Sequence, residues 1–544
     1  MRYLSENKRE DMRMKKRTAA RSMAALMGAA MVLTACGGGS TTAPTTGASS
    51  GGETQTASES AESGKITKTD IIVGQAADIV TLDPAGQQDT TSGVLMKHAY
   101  STLLDVDNEG KVVPDLAESY EMKSDTEYVF KLREDACFWD GTPVTAQDVK
   151  FSLDRAKGMP KTKSNTSKIE EVTVNGDHEV TIKLTEPYAA FKTIVTQHNL
   201  SILSEKAVTE AGDSYGDVDN LLGSGPFKVT EWVPNDHYTL VRNDNYWGEM
   251  PIATSITCRV IPEGSARTIA LEAGEIDVVW SVDPTDCANV ESNPDVKLLS
   301  QPSVGIDYVG MNTQKEKFSD KRVRQAINYA LDKQAFVDTI IEGRGLVANS
   351  YINAAIPGWT DEVEAYPYDP EKAKELLAEA GYPDGFECSI FVNGDLRTRS
   401  AQILQAQLAD VGIKVDISTY EWGALLDTLN AGEHEMFLLG WSNTSFDPDG
   451  STYQLFYSGN HGATGNRAFF SNDKVDELIL SAQRESEESK RMELYKELQF
   501  VLHDESPWCP LYYKENNVGV RADLKGFTLH AGAQHYLGNC HYEE

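Results

Sequence analysis

Chemistry needs particular residue types at particular spacings, and several places in this chain come close. His434-Glu435 opens like a zinc-protease helix, but position 438 is Leu and the second histidine is missing. Gly440-Trp441-Ser442 opens like a nucleophile elbow, yet Thr444 stands where the closing glycine is required. Asp105, Asp107 and Glu109 followed by Gly110 imitate the start of a calcium loop, but its twelfth position is Leu116 and no bidentate glutamate follows, which predicts a hairpin turn. Leu222-Gly223-Ser224-Gly225-Pro226 cannot cradle a phosphate, because proline removes a donor and no lysine follows. The ten histidines show no ligand spacing with cysteine or carboxylate. The pattern gives no catalytic residue, no metal site and no cofactor, and points away from an enzyme.

The elements around these positions belong to an exported protein. Arg13, Lys15, Lys16, Arg17 and Arg21 precede an apolar run at 24–34, which is too short to span a bilayer and fits a signal sequence. The run closes on Leu33-Thr34-Ala35-Cys36, which resembles the lipobox of bacterial lipoproteins. That resemblance implies a signal peptide over 1–35, lipid on the Cys36 thiol, and an outer-face, membrane-anchored location. Residues 37–64 hold 12 Ser/Thr and seven Gly among 28 and contain no Leu, Ile, Val or aromatic residue, so they read as a flexible tether. Lipid at Cys36 plus this tether assigns 36–65 to anchoring. The six later cysteines (Cys137, Cys258, Cys287, Cys388, Cys509 and Cys540) form no CxxC pair. Cys137, Cys258 and Cys388 sit in apolar strand-like runs, so buried free thiols are expected.

The chain has 544 residues, too many for one core, and its composition of 40% apolar and 24% charged residues is that of a globular protein. Its net charge is −33; the first 35 residues contribute +5 and the remainder −38. Such a surface repels phosphate backbones and excludes nucleic acid as a partner.

After residue 66 the pattern alternates strands and helices. Asn175-Gly176 turns a hairpin between 171–174 and 179–184, and Pro234-Asn235-Asp236 turns another between 227–232 and 237–242. Ser319 is predicted to cap a helix presenting Val323, Ala326, Ile327, Ala330 and Leu331 on one face. Asp369-Pro370 starts a helix that stops at Gly381. Further helices are predicted at 400–411 and 489–503, with a strand at 413–417. The class is α/β.

Two stretches carry a family likeness: VPDLAESYE at 113–121 and YVFKLREDACFWDGTPVTAQDVKFSLDR at 128–155. With GSGPF at 223–227, RNDNYW at 242–247, FSDKRVRQAI at 318–327, YEWG at 420–423 and LGWS at 439–442, they resemble the peptide-type (family 5) solute-binding proteins of bacterial ABC importers. The resemblance spans roughly 70–520. It implies a two-lobed periplasmic-binding-protein-like fold of type II with an inserted subdomain and a hinge of two crossover strands, near 309–312 and 511–514. Lobe I would comprise 66–103, 221–312 and 515–544, the inserted subdomain 104–220, and lobe II 313–514. It implies a monomer that captures a peptide or peptide-like molecule and presents it to a permease.

The same resemblance assigns ligand contacts. Trp441 and Trp422 match positions that wall the pocket, with Ser442 beside Trp441. Relatives place an aspartate three residues after the GW tryptophan to hold the ligand ammonium; here that position is Thr444. Asp447 or Asp449 could replace it, although the DPDG run is equally a turn. Arg397 and Arg399 precede the helix predicted at 400–411, in a segment that reaches the ligand carboxylate in relatives, and arginine suits a carboxylate fork. Without the ammonium-binding aspartate, glutathione-like compounds and nickel chelates stay open as ligands, with His434 and His461 as candidate chelate contacts. A surface lipoprotein without transport function is the alternative of another class.

Overall fold

The computed structural model describes residues 65–544; the signal peptide, Cys36 and the tether lie outside the described residues. The architecture rests on one 12-stranded sheet that a single strand, Trp508–Arg521, holds together. Its first half pairs antiparallel with Gly305–Met311 and Gly345–Val347, and its second half with Val296–Pro302 and Val278–Val279. Beyond Val278–Val279 the sheet continues through Asp70–Gln75, Ser255–Val260, His237–Arg242 and Phe227–Val233. Beyond Gly305–Met311 it continues through Met436–Ser442, Glu387–Val392 and Lys414–Thr419. Each half carries its own apolar core, so the molecule has two lobes.

The chain passes between the lobes twice, at Ser303-Val304 and at Lys514-Glu515. Ser303 braces the two passages: its hydroxyl donates to the Lys514 carbonyl at 2.8 Å and accepts from the Gly305 amide at 3.1 Å. Lys514 also pairs with the buried Asp307 carboxylate at 2.8 Å. The second crossover point therefore falls at the end of the segment expected at 511–514, whereas the first lies five residues before the segment expected at 309–312, which is the interior of a lobe II strand.

A separate four-stranded antiparallel sheet, ordered Ala117–Ser124, Glu127–Leu132, Glu179–Leu184 and Ile169–Gly176, encloses its own core with the helix Ala146–Lys157. Both predicted hairpins form, but the first turns at Asp177-His178, with Asn175 and Gly176 inside its strand; in the second, Asn235 takes the left-handed conformation its turn requires, at φ 62°. The imitation calcium loop is a hairpin, Leu104–Val106 with Val112–Pro114, in which Asp107 accepts from the amides of Glu109 and Lys111. The six described cysteines are free; five are buried and Cys137 is partly exposed.

Two helix starts differ from the sequence reading. Asp320, not Ser319, caps Lys321–Ala330 by accepting from the Arg322 amide at 2.8 Å. The helix predicted at 400–411 is Gly394–Ala409. Leu396, Ser400, Leu404 and Leu408 follow at spacing four and share its packed face, so the apolar stripe runs one turn further back than the serine suggests. Gly394, at φ 71°, makes the sharp entry. Arg397 and Arg399 consequently lie inside a helix. The long helix Glu488–Glu505 ends where Ser506 turns left-handed before Pro507.

Five histidines are held neutral by burial. Desolvation lowers His98, His434 and His530 to about 4 and His198 and His535 to about 3, from an ordinary 6.5. Because these bases bind protons more readily unfolded, their contribution is present above pH 6.5 and is lost as pH falls towards 4. Burial raises Asp115 to about 7 and Asp449 to about 6, and these two act in the opposite direction, losing stability as pH rises through those values. The histidines outnumber them. The melting temperature should fall between pH 7 and pH 4.5, and His530→Gln with His535→Gln should flatten that slope; an unaltered slope would show that these imidazoles titrate normally.

Candidate functional site

Four of the parallel strands, two from each lobe, end at one place. Asp70–Gln75 and Ser255–Val260 in lobe I, and Glu387–Val392 and Lys414–Thr419 in lobe II, deliver their C-terminal loops to a cavity of about 720 Å³. Crevices outside the carboxyl ends of such strands are where α/β proteins take ligands, and the volume suits a small one. Three helices begin at the cavity wall: Gly264–Glu272, Gly394–Ala409 and Trp422–Asn430. Their first-turn amides and dipoles favour negative charge there.

From lobe I the wall comprises residues 76–80, Trp232, Asn235, Arg267 and Asp283. Asp78 is held by the Trp232 indole at 3.1 Å and by the Asn235 amide at 2.8 Å. Arg267 is buried and its two terminal nitrogens donate to the carbonyls of Ile261, Pro262 and Ser281, while its Nε has no partner. From lobe II come Asn393, Arg397, Tyr420, Trp422 and Asp427, with Asp307 and Lys514 from the crossover strands. Lys161, from the segment that follows the helix Ala146–Lys157, closes another side.

Of the residues singled out from the sequence, the structure brings Arg397 and Trp422 together. The Arg397 guanidinium lies 5.8 Å from the Trp422 ring centroid, a cation–π arrangement. One of its nitrogens donates to Asn393 Oδ1 at 2.7 Å, and its Nε is buried without a partner. Arg399, half a turn on, spans the lobes: its Nη2 donates to both Asp283 oxygens, at 2.9 and 2.7 Å. That guanidinium, together with Thr285, holds the Asp283 carboxyl below the usual range despite its burial.

The residues of the GWS segment stand off this cavity. Trp441 lies opposite Ile306 in the sheet and packs on the lobe II core, its indole nitrogen without a partner. Ser442 donates to the Gly532 carbonyl at 3.3 Å, and Thr444 to Gln197 Oε1 at 3.0 Å. Thr444 lines a separate chamber of about 20 Å³ with Lys97, Asp105, His198, His530 and Gln534. Asp447, considered as a replacement for the ammonium partner, is instead a buried ion pair: Arg491 donates to its oxygens at 2.9 and 2.5 Å. Asp449 accepts from Tyr188 of the inserted sheet's flank at 2.6 Å and from Gln483 at 2.9 Å. His434 and His461 donate to the backbone carbonyls of Arg467 and Phe470 and do not reach the cavity wall. Among the described residues no group of three His, Cys, Asp or Glu could hold a metal.

Asp78, Trp232, Asp283, Tyr420 and Lys161 escaped the sequence reading. They lie in loops far apart in the chain, and no local spacing marks them. The one available signal was that loops after parallel strands converge, which would have pointed to 76–80 and 420–423.

The chain matches the family described as bacterial extracellular solute-binding proteins, family 5 Middle, over residues 111–463. It is 31% identical over 479 residues to the glutathione-binding protein GsiB of Escherichia coli (strain K12), covering 85% of this chain and 92% of that protein. It is 30% identical over 470 residues to the dipeptide-binding protein of the same strain, covering 80% of this chain and 86% of that protein. Among solved structures, the periplasmic binding protein DppA of Helicobacter pylori, in complex with the peptide STSA, superposes with a TM-score of 0.84 at 28% identity, covering 88% of this chain and 99% of that one.

The Asp447–Arg491 pair generates a prediction that separates fold from site. Removing one partner of a buried pair costs about 3–5 kcal/mol, so Asp447→Ala should lower the denaturation midpoint strongly. The folded fraction should keep its ligand affinity; a large affinity loss at unchanged stability would return Asp447 to the ligand site.

Proposed function

The chain belongs to the bacterial extracellular solute-binding proteins of family 5, and from that premise we propose that it captures short peptides, glutathione-like ones included, for an ABC permease. The observation that supports this reading best is Arg397. It projects from the first turn of a helix into a cavity between two lobes, stacked near Trp422 and with donors to spare. A peptide carboxylate matches a guanidinium fork on a helix N-terminus, and an aromatic wall accepts varied side chains at low entropy cost. The chain is a binding protein, not an enzyme.

On this reading Arg397 and Trp422 are the primary ligand contacts. Arg399 acts through Asp283 to hold the lobes together around the ligand. Trp441, Ser442 and Thr444 belong to the seam that closes beside the cavity. The two passages at Ser303-Val304 and Lys514-Glu515 form the hinge, and closure commits the solute. With the first passage at Ser303-Val304, the boundary expected at 312 moves back: lobe I holds 66–103, 221–303 and 515–544, lobe II 304–514, and the inserted subdomain 104–220. Cys36 carries the lipid that keeps this monomer at the outer face of the membrane, and one acylated cysteine with more than one chain suffices for stable anchoring.

Titration calorimetry on the 65–544 portion with glutathione and with di- and tripeptides tests the reading. A bound peptide at a hundredfold excess over Kd should add about 2.7 kcal/mol of stability, and X-ray scattering should show a smaller radius of gyration than the ligand-free protein. Arg397→Ala should weaken binding at least tenfold with little change in melting temperature. Absence of binding to every peptide would overturn the reading. For the anchor, Cys36→Ala should release the protein into the medium or leave an unprocessed precursor, and a wild-type N-terminal peptide without lipid would refute it.

A further inference from the structure

The cavity contains a second cation whose presence the capture of a simple peptide does not explain. Lys161 is neither exposed nor partnered: its ammonium has no hydrogen bond and no ion pair among the described residues. Of the other described lysines that are not exposed, all but Lys315, which lies off the cavity wall, have one or the other. Lys97 pairs with Asp105 at 3.2 Å, Lys333 donates to Asn328 Oδ1 at 3.1 Å, Lys514 pairs with Asp307 at 2.8 Å, and Lys168 pairs with Glu186. Lys228 donates to the Trp139 carbonyl, and Lys150, Lys157, Lys317, Lys321, Lys372 and Lys496 each hold a carboxylate. An enclosed ammonium without a partner loses hydration and gains nothing for it, and burial accordingly shifts Lys161 below the ordinary lysine range. The carboxylates nearest it, Asp89 and Asp427, do not reach ion-pair distance. Asp89 is otherwise engaged as the cap of the helix Thr90–Ala99, where it accepts from the Ser92 amide.

Arg397 and Lys161 enter the cavity from different bodies, lobe II and the inserted subdomain. The remaining cavity cations already have partners at their ends: both terminal nitrogens of Arg267 donate to carbonyls, its buried Nε alone being without a partner, and Lys514 pairs with Asp307. Two uncommitted cations on separate walls match a ligand with two carboxylates set apart along its length. We propose that Lys161 is a specificity-determining residue that receives a second ligand carboxylate, so that the preferred solutes are dicarboxylic peptides, either γ-glutamyl peptides or short peptides with an acidic side chain. This rests on the reading of the cavity as a peptide site. The ligand's second carboxylate supplies the missing partner, and the lysine rejects uncharged analogues by being left desolvated and alone.

Matched probes isolate the effect. Glutathione and 4-aminobutyryl-Cys-Gly have the same length, amine and C-terminal carboxylate, and differ by the α-carboxylate of the γ-glutamyl group. Glu-Ala and Gln-Ala differ by the side-chain charge. Titration calorimetry of the 65–544 portion should show at least a tenfold preference for the dicarboxylate in one of the two pairs. Lys161→Met should erase that preference by weakening the dicarboxylate alone, and Lys161→Arg should retain most of it. If Lys161 only offsets the Asp89 charge, Lys161→Met will lower the melting temperature and weaken both members of each pair equally, which overturns the proposal. Equal wild-type affinity within both pairs overturns it as well while leaving peptide capture intact. Binding of none of the four probes overturns both readings.

Discussion

The strand Trp508–Arg521 belongs to both lobes, and everything else follows from that sharing. Backbone amides and carbonyls in a buried sheet must be paired, and this strand meets the requirement by giving its first half to Gly305–Met311 and its second to Val296–Pro302. The lobes are thereby tied at two adjacent passages, and rotation about those passages is the freedom left to them. Ser303 links the passages, and Asp307 places a buried carboxylate beside them that needs Lys514 as its counter-charge. The same geometry puts the loops after the parallel strands of each lobe face to face, which is why the cavity lies where it does.

Charge is divided unevenly between surface and cavity. The chain as a whole is strongly acidic, with a net charge of −33, and carboxylates also line the cavity (Asp78, Asp283, Asp307, Asp395, Glu421 and Asp427), yet the wall presents helix N-termini at Gly394 and Trp422 and the cations Arg397 and Lys161. These do not conflict. Salt screens exposed charges over about 8 Å at physiological ionic strength, whereas enclosed groups act at much lower effective dielectric. A few buried donors therefore govern which solute is held, while the acidic exterior keeps the protein soluble and away from other polyanions.

The seam beside the cavity uses the opposite tactic. Around Asp447 and Asp449, charges are satisfied internally by Arg491, Tyr188, Gln483 and Tyr495. The inserted sheet reaches lobe II here, and the Ala189 amide donates to the Gln483 carbonyl at 2.8 Å. A carboxylate whose oxygens are already filled has little left for a ligand ammonium. Two aspartates five and seven residues after the GWS segment can thus be structural while a lysine nearly three hundred residues upstream lines the cavity.

The sequence by itself determined what local physics can determine. Turn chemistry at 234–236, the Asp369-Pro370 cap accepting from the Lys372 amide at 2.9 Å, and the absence of a complete catalytic or calcium motif all depend on residues within a dozen positions of one another, whereas the hairpin expected to turn at Asn175-Gly176 turns two residues later. Family phrases spread from 113 to 442 carried the two-lobed fold, and with it the candidacy of Arg397 and Trp422. Tertiary structure decided the rest. It moved the helix start from Ser400 back to Gly394, because a stripe at spacing four packs on the sheet and outweighs the local serine signal. It gave Asp447 to Arg491, a partner 44 positions away. It brought Asp283 to Arg399 across 116 positions, and Lys161 to a wall shared with Asp427. Such pairings depend on how the two lobes and the inserted subdomain meet. Local composition holds no record of that meeting, because the groups that satisfy or abandon a buried charge arrive from separate parts of the chain.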